Sequence, residues 1–329
     1  MQAVWYDQPG PAAEVLRVGE LPEPEPGPGE VRVRVGASGI NPVDVKRRAG
    51  ARGGVGGERI VPHFDGAGVI DRVGDGVGAD RIGERVWLFE GQWQRPMGTA
   101  AEFTVLPEDR AVRLPETTSI DEGACLGIPA LTAHRAVFAD GSVAGQDILV
   151  TGGAGDVSRY AIQFAGIDGA RVIATVSSEE KAALARAAGA DETIDYRRED
   201  VAARIGALTD GQGVDRIVEV EFGGNLAISQ EALKPNGVIA AYASDGVPEP
   251  AFPFYPLLYA GMTIRLVLVF TMPEDAKRHA VRDITGWLDE GRLRHHVGAS
   301  FDLSDVAAAH EAVERGTIGK VVLKTPSSD

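Results

Sequence analysis

The segment that most constrains the fold of this chain is residues 147–182, which read as strand, glycine-rich turn, helix and strand. The apolar run Ile148–Val150 stops at Thr151–Gly155, a helical pattern follows over Val157–Ala165, and a β-branched run covers Arg171–Val176. In a βαβ unit of this order, backbone N–H groups at a helix N-terminus can approach a phosphate. The segment therefore predicts a parallel sheet and a nucleotide cofactor.

The turn departs from the full dinucleotide-binding pattern, in which three glycines recur at fixed spacing. Gly152 and Gly155 fit, but Ser158 stands in the third position and Asp156 places a carboxylate where a pyrophosphate would lie. A carboxylate about 4 Å from a phosphate charge costs on the order of 1–4 kcal/mol. Asp156 could instead face solvent or cap the helix, and the turn could be purely structural, so these alternatives stay open.

Charge and cysteine content exclude several classes of function. A formal net charge of −15 argues against binding nucleic acid or an anionic membrane, because both require basic patches. Cys125 is the single cysteine, so neither an internal disulfide nor a cysteine-based zinc site can form. The sequence has no run of about 18 apolar residues and no signal-peptide pattern in its first residues. We expect a cytoplasmic protein that acts on a small molecule.

Two kinds of pattern divide the chain into two domains. Residues 1–121 read as short strands with Gly and Pro turns, among them the alternating Val31–Val35, and predict a β-rich domain. Over residues 122–270 strands and helices alternate, which predicts a parallel sheet covered on both faces. Residues 271–329 end in a strand too short to form a domain by itself. We expect this strand to return to the first domain, so that the α/β domain is an insertion.

Individual elements can be placed from their periodicity and caps. Ser119 with Glu122 three residues later predicts a capped helix that carries Ala124, Leu126 and Ile128. The expected strands are 66–70, 80–87, 148–150, 172–176, 192–194, 216–220, 237–241, 264–270 and 321–324, and the expected helices are 157–165, 179–188, 227–233, 275–290 and 304–315.

Six motifs carry a family resemblance that runs the length of the chain. They are Ser38–Asp44, Phe64–Ile70, Gly127–Ala133, the glycine turn Thr151–Gly155, Ser177–Lys181 and Gly316–Val322. Together they resemble the zinc-free quinone oxidoreductases of the medium-chain dehydrogenase/reductase superfamily, the zeta-crystallin-like family. The resemblance implies an α/β fold in which a Rossmann doubly wound parallel sheet is inserted into a GroES-like β-rich domain, with the active site in the cleft between the two domains.

The resemblance implies hydride chemistry without a metal. The zinc branch of the superfamily has a cysteine near position 40 and a His-Glu pair near position 64, where this chain has Ile40-Asn41 and Phe64-Asp65. The neighbouring His295 and His296 are a poor ligand pair, and His63 stands where relatives usually have glycine. We expect hydride transfer from NADPH to a quinone or an α,β-unsaturated carbonyl. The alternatives are an enoyl reductase of a biosynthetic pathway and a non-catalytic protein with weakened cofactor binding.

The cofactor is expected to be NADPH rather than NADH. The second strand ends at Ser177-Ser178, followed by Lys181, where an NAD site usually carries an acidic residue. Hydroxyls and a lysine suit a 2′-phosphate, and Tyr196 matches the family tyrosine beside the same phosphate. The serines could also cap the next helix, and Lys181 could lie in solvent. The residues expected to contact the cofactor are Gly152, Gly153, Ala154, Gly155, Asp156, Val157, Ser177, Ser178, Lys181, Tyr196, Ser244, Val269, Phe270, Thr271 and Lys320.

Asn41, Lys46 and Thr132 are expected to act on the substrate. By resemblance Asn41 and Thr132 lie near the nicotinamide and the substrate, and Asn41 can donate to a carbonyl oxygen on which negative charge develops. Lys46 stands where relatives often have tyrosine and could supply a proton if burial lowers its pKa. Alternatively, Asn41 could be a turn residue before Pro42, Lys46 a surface cation, and Thr132 a helix hydroxyl bonded to its own backbone.

Variable segments are expected to shape the substrate pocket. These are residues 48–57, 90–97 and 248–259, whose aromatic side chains suit flat apolar molecules. Val267–Thr271 matches the family backbone segment that reads the nicotinamide amide, and it overlaps the apolar run Ile264–Phe270. The same run could form an edge strand that pairs with a second subunit, so we expect a homodimer.

Overall fold

The computed structural model of the protein describes residues 1–51 and 59–326, so part of the expected pocket segment 48–57 lies outside the described residues. The chain divides into two compact units, Met1–Ile128 with Val281–Asp329 and Pro129–Ala280. In sequence, the second unit thus interrupts the first. The predicted limits of 1–121 with 271–329 and of 122–270 stay a prediction, because compactness alone does not define an independently folding domain.

The elements are numbered in chain order. The strands are β1 (Gln2–Trp5), β2 (Arg17–Glu20), β3 (Glu30–Ile40), β4 (Asp65–Val73), β5 (Arg85–Leu88), β6 (Phe103–Pro107), β7 (Ala111–Arg113), β8 (Asp147–Val150), β9 (Arg171–Val176), β10 (Glu192–Asp195), β11 (Val214–Glu219), β12 (Leu233–Ala241), β13 (Thr263–Leu266), β14 (Val297–Asp302) and β15 (Lys320–Lys324). The helices are α1 (Ala12–Val15), α2 (Pro42–Arg48), α3 (Ile120–Gly123), α4 (Gly127–Phe138), α5 (Asp156–Asp168), α6 (Glu179–Ala187), α7 (Val201–Leu208), α8 (Phe222–Ala232), α9 (Phe254–Tyr259), α10 (Glu274–Asp289) and α11 (Val306–Glu314).

The first unit is built on a sheet in the order β14-β15-β3-β4-β5-β7, with β6 also paired to β3. β3 is central in this sheet, because it pairs with β15, β4 and β6. Its alternating residues Val31, Val33 and Val35 are all fully buried. The last strand, β15, runs antiparallel to β3 with Val321 opposite Ile40. The prediction that the C-terminal strand returns to the β-rich part of the chain is therefore confirmed.

The second unit is built on a six-stranded sheet in the order β10-β9-β8-β11-β12-β13. All five pairings are parallel. The chain leaves β8 toward one edge and later returns to β11 on its other side, so the strand order reverses between β8 and β11. In doubly wound sheets ligands bind at the carboxyl ends of the strands at such a reversal. The predicted doubly wound parallel sheet is confirmed.

Two predicted elements are wrong because a glycine interrupts them. The expected strand 80–87 forms only over Arg85–Leu88, since the left-handed Gly83 (φ 92°) ends a turn before it. The helix expected after Ser119 does begin with its capping pair to Glu122, but it ends at Gly123. A new helix starts at Gly127, whose φ of 28° breaks the helical path.

A third prediction, the strand 264–270, is wrong over its second half. Pairing with β12 ends at Leu266, and the Val267 N–H makes the last bond to the Ala241 carbonyl. β12 itself ends there, so the chain has no neighbour to continue along, and Val269–Thr271 form a 3-10 turn. The other predicted elements are present with shifted ends, the largest shift being α8, which begins at Phe222 rather than at 227. Among the described helices, none has the length and apolar character to cross a lipid bilayer.

Candidate functional site

The glycine turn after β8 has a backbone that requires its glycines. Gly152 lies in the left-handed region with φ 61°. A Cβ on Gly153 would come within 2.8 Å of the Ala174 Cβ on β9, so the turn packs closely against the neighbouring strand. Gly155 is the N-cap of α5, whose free N–H groups suit a phosphate. The strand–helix junction carries the predicted contacts Gly152, Gly153, Ala154, Gly155, Asp156 and Val157.

The two residues that break the glycine pattern differ in their surroundings. Ser158 is fully buried, where its Oγ donates to the Thr151 carbonyl at 2.8 Å and lies 3.1 Å from the Tyr242 hydroxyl. This hydroxyl therefore bonds within the unit. Asp156 is the half-buried first residue of α5, at the positive end of the helix dipole. Burial raises the pKa of Tyr242, and the Glu219 and Asp156 carboxylates add to the rise.

Glu219, at the carboxyl end of β11, is a site residue that the sequence analysis missed. Its Oε1 accepts from the Thr151 hydroxyl at 2.8 Å, the Asn225 amide at 2.9 Å and the Glu221 N–H at 2.7 Å. Burial raises the pKa of this carboxyl, and these hydrogen bonds oppose the rise. Glu219 thus connects Thr151, the first residue of the glycine turn, to β11, on the other side of the point where the strand order reverses. The sequence does indicate this residue, because an acidic side chain at the end of an apolar strand is unusual unless it has hydrogen-bond partners.

The predicted 2′-phosphate residues lie together beyond β9 and β10. The Lys181 ammonium is 3.0 Å from the Ser177 Oγ, and the Ser178 Oγ accepts from the Lys181 N–H at 3.3 Å as the N-cap of α6. Tyr196 follows Asp195, which pairs with Val176 on β9, and half of its surface is exposed. The N-cap interpretation is confirmed for Ser178, and the contact of Ser177, Ser178 and Lys181 with a 2′-phosphate stays a prediction.

A cavity of about 470 Å³ opens beside the glycine turn, entirely within the second unit. Its volume lies within the range of small-molecule sites. The cavity contains both the predicted Gly152 and Tyr196 and the unexpected Glu219. Its lining also includes Thr151, Thr175, Val201, Val220, Asn225 and Ile228.

The remaining predicted cofactor residues of this unit lie in loops. The Ser244 hydroxyl donates to the Val247 carbonyl at 2.6 Å and accepts from the Gly223 N–H at 2.8 Å, so it anchors the loop after β12. Val269, Phe270 and Thr271 form the 3-10 turn beyond β13, with Val269 buried and Thr271 exposed.

In the first unit, Asn41 is the centre of a buried polar cluster. The Lys320 Nζ donates to Asn41 Oδ1 at 2.6 Å, and Asn41 Nδ2 donates to Asp65 Oδ2 at 2.7 Å. Lys320 and Asp65 also form an ion pair at 3.2 Å, and both are essentially unexposed. Lys320, predicted to contact the cofactor, thus lies against the predicted catalytic Asn41.

Two carboxyl groups of this cluster are strongly affected by burial. Burial raises the pKa of Asp44 to about 7, while the hydrogen bond from the Asn41 N–H at 2.7 Å opposes the rise. Burial also raises the pKa of Asp65, while Lys320, the Asn41 amide and the Ile128 N–H act in the opposite direction. Three donors reach the Asp65 carboxylate, the Asn41 amide, the Lys320 ammonium and the Ile128 N–H, which is shared between both oxygens, and each of them counteracts the effect of burial.

The other two predicted catalytic residues have different settings. Lys46 lies half-buried on α2, two residues beyond Asp44. Thr132 is buried on α4 and belongs to the second unit. Their roles toward a substrate stay predictions.

A buried histidine pair in the first unit was not foreseen. The Nε2 atoms of His63 and His310 are 2.9 Å apart, and His63 Nδ1 lies 2.9 Å from the Ser38 Oγ. Burial lowers the pKa of His63 far below its usual value and that of His310 to about 3. His63 adopts φ 79°, a conformation that glycine adopts most readily, which agrees with the glycine that the family resemblance implies at this position.

Comparison with known proteins places both parts of the chain. Residues 27–116 match the family model of the alcohol dehydrogenase GroES-like domain, and residues 157–285 match that of the zinc-binding dehydrogenases. The expected GroES-like and Rossmann architecture is thereby confirmed. The fold and the domain pair are those of a medium-chain dehydrogenase/reductase.

The individual relatives narrow this class. A quinone oxidoreductase of Pseudomonas aeruginosa is 33% identical over 87% of this chain and 88% of its own length. A 2-haloacrylate reductase of a Burkholderia species is 32% identical, with 87% and 88% covered. The structure of mycobacterial Rv1454c complexed with NADPH matches with a TM-score of 0.85 and 28% identity, over 98% of this chain and 99% of that one. The chain is an oxidoreductase that belongs to the quinone oxidoreductase family, as its motifs predicted.

Proposed function

We propose that this protein is an NADPH-dependent reductase that transfers hydride to a quinone or an α,β-unsaturated carbonyl. The observation that carries the cofactor choice is the contact of the Lys181 ammonium with Ser177 at the end of β9, beside Tyr196. A cation and hydroxyls at this place suit a 2′-phosphate, where a carboxylate would repel it. The mycobacterial relative in complex with NADPH supports the same choice.

The second unit offers a complete set of groups for the nucleotide. The N–H groups at the start of α5, with Gly152 and Gly153 free of side chains, suit the pyrophosphate. The cavity between Thr151, Tyr196 and Glu219 has the volume for the adenosine part. When bound, NADPH supplies the hydride.

The first unit offers Asn41 as the group that receives the substrate oxygen. Its Nδ2 donates to Asp65 and carries a second hydrogen for an acceptor. An N–H aimed at an oxygen that gains negative charge lowers the barrier to hydride addition. The names of two relatives, quinone oxidoreductase and 2-haloacrylate reductase, agree with an acceptor whose C=C bond is conjugated to oxygen.

We also infer that the reaction needs no zinc. Asn41 and Asp65 occupy positions near the ligands of the zinc branch, and both bind the Lys320 ammonium. An ammonium held at this spot excludes a divalent cation by charge and by space.

A homodimer paired through β13 is part of the proposal. β13 is an edge of the six-stranded sheet, and Leu266 on it is 77% exposed. Tyr259, at the end of α9, is 85% exposed, and an apolar edge of this kind favours pairing. Light scattering of the wild type and of Leu266→Arg tests this, with a dimer expected for the first and a monomer for the second. The cytoplasmic location stays a prediction.

The test is cofactor binding followed by turnover. Quenching of NADPH fluorescence should report binding, and the absorbance of NADPH should fall when 1,4-naphthoquinone or methyl vinyl ketone is added. No binding at millimolar NADPH would refute the proposal. Binding without oxidation by any quinone or enone would favour the non-catalytic alternative, and oxidation only by enoyl thioesters would favour the biosynthetic enoyl reductase.

A further inference from the structure

We propose that Lys320 and Asp65 are positioning residues that hold the Asn41 side-chain amide in one orientation, so that it can only donate to the acceptor. The inference rests on the proposed function, in which Asn41 contacts the oxygen of the substrate. It gives Lys320 a role through Asn41 instead of the contact with the cofactor that the sequence predicted.

The orientation of the amide follows from the chemistry of its two partners. A lysine ammonium has only donors, and it lies 2.6 Å from Asn41 Oδ1. A carboxylate has only acceptors, and Asp65 Oδ2 lies 2.7 Å from Asn41 Nδ2. Rotating the amide by 180° would set its oxygen against the carboxylate and its N–H groups against the ammonium. The flipped state is therefore excluded.

The pairing of three strands builds this arrangement. In the register of β15 against β3, Val321 lies opposite Ile40, which sets Lys320 at the level of Asn41. In the register of β3 against β4, Gly39 lies opposite Asp65. Asp65 and Lys320 thus both contact Asn41, although they lie 24 and 279 residues from it in sequence.

Two glycines make room for the charged pair. A Cβ on Gly39 would lie 2.7 Å from the Lys320 Cε and 2.1 Å from the Ala124 carbonyl oxygen. A Cβ on Gly127 would lie 2.0 Å from the Asp65 carboxylate. The Asp65 carboxylate also receives the Ile128 N–H at 3.0 Å and thereby caps α4. The cluster therefore depends on the backbone as well as on its side chains, since two residues beside it must lack a Cβ.

The arrangement has a consequence for substrate choice. Asn41 Oδ1 accepts from Lys320 and one Nδ2 hydrogen goes to Asp65, while the buried Asp44 carboxyl also shares a side-chain hydrogen bond with Asn41. A substrate oxygen would therefore take the place of Asp44 as the acceptor for the second Nδ2 hydrogen. The ammonium at Oδ1 polarises the amide and strengthens its Nδ2 hydrogens as donors. The site therefore takes an oxygen that accepts, such as that of a carbonyl or quinone, and rejects an ammonium, which can only donate.

The test is a double-mutant cycle between Lys320→Met and Asn41→Ala, read as the rate of hydride transfer from saturating NADPH to 1,4-naphthoquinone. Lys320→Met should lower kcat about 10- to 100-fold, less than loss of the donor itself, with the Kd for NADPH within about twofold of wild type. In the Asn41→Ala background it should cost nothing further, because Lys320 acts through Asn41. Lys320→Arg, which keeps the donor, should recover most of the rate.

The matched control is Lys324→Met, which removes another lysine–aspartate pair from the same strand. Lys324 contacts Asp121 at 2.6 Å and is 38% exposed. This variant should keep the wild-type rate. Losses of kcat that add in the cycle, or a weakened NADPH affinity that accounts for the loss in Lys320→Met, would overturn the proposal.

Removing one member of a buried ion pair leaves the other charge uncompensated, so Lys320→Met could unfold the first unit. The variant Lys320→Met/Asp65→Asn, which is neutral at both positions, then takes its place with the same expected loss of kcat. If the wild type oxidises NADPH with neither acceptor class, the proposed function fails. The positioning of Asn41 by Lys320 and Asp65 is then tested by NMR of the Asn41 side-chain amide. Hydrogen exchange of this amide with solvent should be about tenfold faster in Lys320→Met/Asp65→Asn than in Lys324→Met. Equal exchange rates in the two variants would contradict the proposal that Lys320 and Asp65 hold the amide.

Discussion

The glycine turn of the second unit and the Asn41 cluster of the first, the two places proposed to contact a ligand, are built in opposite ways. The turn uses backbone N–H groups, so its geometry depends on φ at Gly152 and on close packing at Gly153. The cluster uses buried side chains, and its members Asn41, Asp65 and Lys320 are each supplied by a different part of the chain. A backbone site tolerates changes around it, whereas a cluster of buried charges depends on every member being present.

The largest expected effect comes from crowding the cluster. Gly127→Ala would set a Cβ against the Asp65 carboxylate at a residue with φ 28°, so the free energy of unfolding should fall by about 2–5 kcal/mol. The control is Gly166→Ala on α5, where a Cβ meets open space and helix propensity should raise stability by roughly 0.5–1 kcal/mol. Chemical denaturation of both variants checks this. Equal stabilities of the two variants would contradict the prediction, because they would show that the cluster accommodates a Cβ at residue 127.

The next effect concerns acid. The pKa of His310 is about 3 in the folded protein and near 6.5 unfolded, so the unfolded chain binds the proton first as the pH falls. Stability is thus fully present above pH 6.5 and lost as the pH falls toward 3. His310→Gln should lose less, with a difference of roughly 3 kcal/mol between pH 7 and pH 4. Denaturation curves at both pH values decide this, and parallel losses would show that His310 is not buried as a neutral group.

A smaller effect is expected at Lys181, which we propose to contact the 2′-phosphate together with Ser177 and Ser178. Lys181→Ala should raise the Kd for NADPH about 10- to 30-fold while leaving that for NADH unchanged, because only NADPH carries the 2′-phosphate. Lys234→Ala is the control, since this lysine sits near the start of β12 and pairs with Asp215. Fluorescence titration with both nucleotides measures the ratio. An equal loss for NADH would move Lys181 out of the 2′-phosphate site.

The smallest effect is expected at Asp156, the carboxylate that interrupts the glycine pattern. Asp156→Asn should tighten NADPH binding by about fivefold, since one like charge is removed near the pyrophosphate. The same titration measures it, and Asp168→Asn, at the far end of α5, is the control. An unchanged Kd would mean that the Asp156 carboxylate points away from the cofactor.

The two regions also differ in how far the sequence predicts them. The turn is contiguous, so its strand, glycines and helix could be placed from spacing alone, and Ser177, Ser178 and Lys181 follow at a fixed interval. The cluster depends on strand register between β15, β3 and β4, which no local pattern encodes. The contacts of Lys320 and Asp65 with Asn41 therefore do not follow from the sequence, and the contact of Lys320 with the cofactor stays a prediction.

Local backbone conformation explains the remaining differences. Gly83 and Gly127 adopt positive φ. The strand begins only after Gly83 and a new helix begins at Gly127, where hydrophobic periodicity predicts continuous elements. The strand expected over 264–270 stops because β12 ends at Ala241, which is a property of the neighbour and not of the segment. Glu219 was visible as an acidic residue after an apolar run, but its hydrogen bonds to Thr151 and Asn225 depend on tertiary pairing.

The central claim is that Asn41 donates to an oxygen that gains charge as hydride arrives from NADPH. The most direct measurement is the single-turnover rate of NADPH oxidation by 1,4-naphthoquinone in the wild type and in Asn41→Ala, with the Kd for NADPH determined alongside. We predict a rate lower by about 10²- to 10³-fold with the Kd unchanged. A variant that reduces the quinone within about threefold of the wild-type rate would contradict the account, since a donor worth several kcal/mol in the transition state cannot be removed at so small a cost.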